Sequence, residues 1–133
     1  MAKPLPKVTD ENETYWYGLR EGKLFVQRCV SCRSLQFYPR FFCTHCHGRE
    51  LEWHETKGTG TVYTFTVIRR PPVEAFKDDV PYILALVELD EGIRIMTRIV
   101  NLAPEECAVG MPVQLALREL EKDVVLPMFA PME

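Results

Sequence analysis

Two C-x2-C pairs stand close together in this chain: Cys29-Val30-Ser31-Cys32 and, ten residues on, Cys43-Thr44-His45-Cys46. Each pair forms a tight turn that presents two thiolates to one ion. Two such turns facing each other close a tetrahedral four-sulfur shell. Sulfur is a soft ligand, so the pattern points to zinc ahead of iron. Cys29, Cys32, Cys43 and Cys46 are the expected ligands of a structural zinc, and the short connecting stretch requires a compact ribbon.

Other uses of this spacing are weaker. Two disulfides need an oxidising compartment, and a redox C-x-x-C needs a βαβ setting that the pattern lacks. A catalytic zinc keeps one coordination position open, usually with fewer thiolates. His45 and His47 flank Cys46, but four cysteines suffice and the histidines receive no ligand role. A ribbon this small buries too little apolar surface to fold alone, so loss of zinc is expected to unfold it.

The rest of the composition bounds the class. Among 133 residues, 16 Lys and Arg face 19 Asp and Glu, a net charge of −3 that argues against a protein built to coat nucleic acid. No stretch approaches the ~20 apolar residues of a membrane span, and the opening Met1-Ala2-Lys3-Pro4 has no apolar signal core. A soluble cytoplasmic protein is expected.

Along the chain, residues 1–8 read as a flexible arm with two prolines and two lysines. A helix is expected over residues 10–21, capped by Thr9 or Asp10 and stopped by Gly22. Its Tyr15, Trp16 and Leu19 form an aromatic stripe that packs either on its own domain or on a partner. Extended runs at 24–28 and 51–55 flank the cysteine pairs. Beyond Gly58-Thr59-Gly60 the pattern becomes strands: 61–68, 82–89, 93–100, 113–118 and 124–129. The run 82–89 is nearly continuous apolar, as in a strand covered on both faces. Asp90-Glu91-Gly92 makes a hairpin turn. In the next strand Ile93, Ile95 and Ile99 share one face, and Arg94 and Arg98 the other. Five short strands with an irregular insertion after the third describe a closed barrel of the OB type, an SH3-like barrel being the competitor. The expected division is 1–23 arm and helix, 24–57 zinc ribbon and 58–133 OB-fold.

The chain resembles the two-part proteins that join a rubredoxin-like zinc ribbon to an OB-fold, the family of domain of unknown function 35. The matching residues are Tyr15-Trp16-Tyr17-Gly18-Leu19, Cys29-x-x-Cys32, Pro39-Arg40, Cys43-x-x-Cys46 and Leu51-Glu52-Trp53. They continue through Gly58-x-Gly60-x-Val62-Tyr63-Thr64-Phe65-Thr66-Val67, Pro81-Tyr82 and Glu88-Leu89-x-x-Gly92 to Pro127-x-Phe129. The resemblance implies a non-catalytic partner of thiolase-superfamily enzymes, in a hetero-oligomeric complex that handles or channels acyl-CoA in lipid, polyketide or steroid metabolism. It places the zinc on the same four cysteines and supplies no catalytic residue.

The residues agree with that implication. No nucleophile–base motif stands out, and the three histidines, His45, His47 and His54, lie in or beside the ribbon. Cys107 sits in an acidic stretch that disfavours a thiolate, so an inert thiol is expected. The alternative function is single-stranded nucleic-acid binding, with Tyr63 and Phe65 stacking bases. Strand alternation instead places Tyr63, Phe65 and Val67 inward, and the net acidity opposes this alternative. Arg69 with Arg70, and Arg94 with Arg98, suit the phosphates of CoA as candidate contacts, with solvated surface charge as the plainer reading.

Overall fold

The structure is a computed structural model describing residues 5–121 and 124–132. It is mainly β with one N-terminal helix. After α1 (Glu13–Arg20), strands β1 (Phe25–Cys29), β2 (Leu35–Gln36) and β3 (Leu51–Glu55) form an antiparallel sheet in the order β2-β1-β3. Strands β4 (Thr59–Ile68), β5 (Tyr82–Leu89), β6 (Arg94–Ile99), β7 (Pro112–Glu121) and β8 (Val124–Pro131) close a barrel in the order β4-β5-β6-β8-β7. The pairs are antiparallel except for the parallel meeting of β6 and β8 at Ile99 and Phe129. The expected five-stranded OB-type closure is present.

Helix α1 starts later than expected. Asn12 precedes it without a side-chain cap on the helix, so neither Thr9 nor Asp10 caps it. Asn12 works backwards instead: its Oδ1 accepts the Thr9 N–H at 2.7 Å and its Nδ2 donates to the Lys7 carbonyl at 3.1 Å. The stretch adjoining the helix is thereby tied down, a correction to the free arm; residues 1–4 lie outside the described residues. The helix ends as expected. Gly22 takes φ 83°, Lys23 N–H reaches the Gly18 carbonyl at 2.8 Å, and Gly22 N–H reaches Leu19 at 3.1 Å, a Schellman closure that needs a residue tolerant of positive φ.

Tyr15 and Leu19 are buried, and Trp16 packs against them, so the stripe faces its own protein. The Tyr15 ring contacts Trp16, Phe37 and Tyr38 at centroid distances of 4.9, 5.4 and 5.5 Å. Burial pushes its hydroxyl well above the ordinary tyrosine range. Through this stripe α1 packs on both β1 and β8. Leu24, just before β1, and Val26 within it join the same core as Val62, Val87, Ile95, Val113 and Phe129 of the barrel. The ribbon shares the barrel's core.

Two strand expectations need correction. β5 is not covered equally on both faces: Ile83, Ala85, Val87 and Leu89 are buried, while Tyr82, Leu84, Leu86 and Glu88 are half-buried. In β4 the register slips between Val62 and Thr64. This bulge inserts one residue and shifts the alternation. Gly60 and Val62 point inward before it, and Phe65 packs on the core after it, but Tyr63 is left 45% exposed.

Candidate metal centre

The four cysteines of the two pairs converge. Their sulfurs all lie within 4.8 Å of one another. Cys29 Sγ is 3.5 Å from Cys46 Sγ, and Cys32 Sγ is 3.6 Å from Cys43 Sγ. Tetrahedral zinc with bonds of about 2.3 Å separates its sulfurs by roughly 3.8 Å, so the cluster has the dimensions of such a shell. Each close contact crosses from one knuckle to the other.

The local backbone explains the convergence. Cys29 ends β1, and the first knuckle folds back through Arg33 N–H to the Cys29 carbonyl at 2.9 Å. The second repeats this with His47 N–H to Cys43 at 2.9 Å. Arg33 and His47 hold φ of 63° and 66°, the left-handed conformation each knuckle needs after its second cysteine. Backbone donors aim at sulfur: Cys32 N–H at Cys29 Sγ (3.5 Å), and His45 and Cys46 N–H at Cys43 Sγ (3.3 and 3.4 Å). Gly48 lies so near that a Cβ there would stand 3.3 Å from Cys46 Sγ.

The thiols differ. The Ser34 hydroxyl and backbone lower Cys32 to about 6. At Cys46 the Gly48 backbone pulls the thiol down, but the Cys29 and Cys32 sulfurs push harder, raising it to about 12. Four crowded thiols without a cation cannot all ionise, and a bound divalent cation removes that conflict. Cys107 lies elsewhere, buried in the core, where burial pushes its thiol up.

The arginines considered for phosphate are partly engaged. Arg94 Nε meets Glu88 Oε2 at 3.1 Å, and its guanidinium lies 3.7 Å over the Tyr63 ring. Arg98 meets Asp79 Oδ2 at 3.3 Å and stacks 4.0 Å over Tyr82. Arg69 and Arg70 are exposed. Between the two stacks, Thr64, Leu84, Leu86 and Met96 line a shallow apolar groove of about 210 Å³ on the outer face of the barrel. Met96 is 66% exposed. The sequence signals for this groove are Met96 on the arginine face of β6 and the continuous apolar run that carries Leu84 and Leu86.

Two family models match in tandem. One, described as the ChsH2 rubredoxin-like zinc ribbon domain, covers residues 16–52. The other, the ChsH2 C-terminal OB-fold domain, covers residues 53–118. A DUF35 domain-containing scaffold protein of Methanocaldococcus jannaschii is 38% identical over 81% of this chain and 77% of its own length. The chain belongs to the DUF35 family.

Some relatives are longer proteins than this chain. A probable enoyl-CoA hydratase alpha subunit of Thermomonospora curvata is 37% identical over 97% of the chain, which spans only 40% of that subunit. A solved structure titled Ltp2-ChsH2(DUF35) aldolase aligns with TM-score 0.84 and 37% identity, over 95% of this chain and 98% of that one. A DUF35 protein of unknown function from Sulfolobus solfataricus aligns at TM-score 0.65 and 17% identity, a likeness of fold alone. The zinc ribbon and OB-fold expected from the sequence are those of the DUF35 family. No helix among the described residues is long and apolar enough to cross a membrane.

Proposed function

We propose that the chain is a non-catalytic, cytoplasmic accessory subunit that binds a thiolase-superfamily enzyme and takes part in handling acyl-CoA. Cys29, Cys32, Cys43 and Cys46 hold one structural zinc in this reading. The chain divides into an arm and helix (1–23), a ribbon (24–57) and an OB-fold (58–133). The observation that carries the proposal is the likeness, at TM-score 0.84 and 37% identity, to nearly the whole of a chain from the structure titled Ltp2-ChsH2(DUF35) aldolase. The coenzyme A thioester part rests on relatives named as hydratase alpha subunits, the second being the 3-oxo-4,17-pregnadiene-20-carboxyl-CoA hydratase alpha subunit of Mycobacterium tuberculosis, of which this chain spans 34%.

The chemistry of the side chains supports a non-catalytic role. A bound zinc would supply a cross-link between the knuckles, with all four positions taken by thiolate. His54 Nδ1 accepts a hydrogen from Arg28 Nη2 at 2.8 Å, which occupies the lone pair a general base would use. Cys107 is buried, with its thiol held neutral by its surroundings.

Isolation of the chain from its native cells, with mass spectrometry of what accompanies it, tests the proposal. A thiolase-like enzyme in stoichiometric amount is expected. RNA or single-stranded DNA without any thiolase-like protein overturns the proposal.

A further inference from the structure

The stretch from the end of β2 to Cys43 has no strand partner, yet its backbone is fastened at several points. Two side chains do much of this work. Gln27 on β1 and Gln36 on β2 are direct partners in the sheet, and both are buried, at 4% and 8% exposure. Gln36 Nε2 donates to Gln27 Oε1 at 2.7 Å. Gln27 Oε1 also accepts the Arg40 N–H at 2.8 Å, while its Nε2 donates to the Arg40 carbonyl at 2.9 Å. Arg40 is thus held as a neighbouring strand would hold it. Gln36 Nε2 further donates to the Phe42 carbonyl at 3.2 Å, and its Oε1 accepts from Thr44 N–H and hydroxyl at 2.9 and 3.2 Å. Both sides of Cys43 are therefore pinned, at Phe42 and at Thr44.

The two glutamines also sit close in sequence to the first knuckle. Gln27 lies two residues before Cys29, and Gln36 four residues after Cys32. The amide pair connects the strands carrying one half of the sulfur cluster to the loop carrying the other half. Buried amides tolerate few alternative arrangements, because a shifted loop leaves donors and acceptors without partners. We propose that Gln27 and Gln36 are positioning residues that preset the spacing of the two knuckles and so set how tightly the cysteine cluster holds its metal. The proposal rests on the zinc reading above and adds a determinant of affinity outside the ligand set.

The test uses the full chain, titrated with Co2+ and with zinc against a chromophoric chelator. Gln36→Met and Gln27→Met are expected to weaken zinc binding roughly ten- to hundredfold and to alter the thiolate–Co2+ absorption bands. Thr44→Val keeps both glutamines and the Thr44 N–H bond and loses only the hydroxyl bond to Gln36 Oε1 at 3.2 Å, so about a fivefold loss is expected. This milder variant serves should the methionine forms not fold. Thr56→Val is the control, since it removes a buried hydroxyl bond to the Leu24 carbonyl (2.9 Å) at the far end of β1. Its Co2+ bands and zinc affinity are expected to match wild type. Wild-type affinity and bands in the glutamine variants that fold and in Thr44→Val overturn the proposal, as does an equal loss in Thr56→Val. If the wild-type chain gives no tetrahedral thiolate bands at all, the zinc reading itself fails, which is a distinct outcome.

Discussion

Cys29 of the first knuckle meets Cys46 of the second, their sulfurs 3.5 Å apart. Neither sulfur belongs to the same C-x2-C pair, so the cluster can close only when both knuckles are in place. Dividing the roughly 10–16 kcal/mol that a structural zinc supplies among four thiolates gives about 3 kcal/mol each, or roughly a hundredfold in affinity. Cys29→Ser and Cys46→Ser are each expected to lose about that much affinity and to lower ribbon stability together with zinc content. Atomic absorption after dialysis against a chelator checks this, and full occupancy in both variants would remove the assignment.

Proton competition should set the pH dependence of metal uptake. Without metal, Cys32 ionises near 6 because Ser34 donates to it, while Cys46 keeps its proton to about 12 under the influence of the neighbouring sulfurs, despite the Gly48 backbone. Both must be thiolates to bind, so uptake expels at least the Cys46 proton at neutral pH. Affinity therefore falls as pH falls, and the slope steepens below about 6, where Cys32 also arrives protonated. Zinc titrations between pH 5 and 8, with proton release followed by an indicator, measure this. Affinity that does not change with pH would contradict it.

Tyr38 joins helix to ribbon. Its hydroxyl oxygen accepts from Asn12 Nδ2 at 3.1 Å and Trp16 Nε1 at 3.0 Å. Tyr38→Phe leaves both donors without that partner at a cost of about 1–3 kcal/mol. Denaturant unfolding followed by tryptophan fluorescence should show the loss; an unchanged midpoint would mean water replaces the hydroxyl.

Gly60 allows the barrel to close. A Cβ there would stand 2.3 Å from the Glu88 carbonyl oxygen and 3.0 Å from Leu89 Cα, both backbone. Gly60→Ala is expected to cost roughly 2–3 kcal/mol by prying β4 from β5, read as a lower thermal midpoint at unchanged zinc content. By contrast, an alanine at Gly92 meets nothing within 4 Å and is strained only by its φ of 97°.

Much of this was legible in the residues. The cysteine pairs state their geometry in their spacing, and β3 and β5 run where alternating or continuous apolar residues put them. What escaped reading depends on contacts distant in sequence. The bulge that lets Val62 and Phe65 both face the core, leaving Tyr63 outside, is set by pairing with β5, and no local signal distinguishes it from plain alternation. Asn12, rather than Thr9 or Asp10, precedes the helix because its side chain is committed to Lys7, Thr9 and Tyr38. Gln27 and Gln36 read as ordinary polar residues in short strands. Their importance appears only once the 40–44 loop folds over them.

The proposed function turns on association with a thiolase-superfamily enzyme. Its most direct measurement is isothermal calorimetry of the zinc-loaded chain against the enzyme that co-purifies with it, with and without that enzyme's acyl-CoA. A saturable complex of fixed stoichiometry is expected, with no turnover of acyl-CoA by the chain alone. Failure to bind, together with saturable binding of single-stranded nucleic acid, would contradict it.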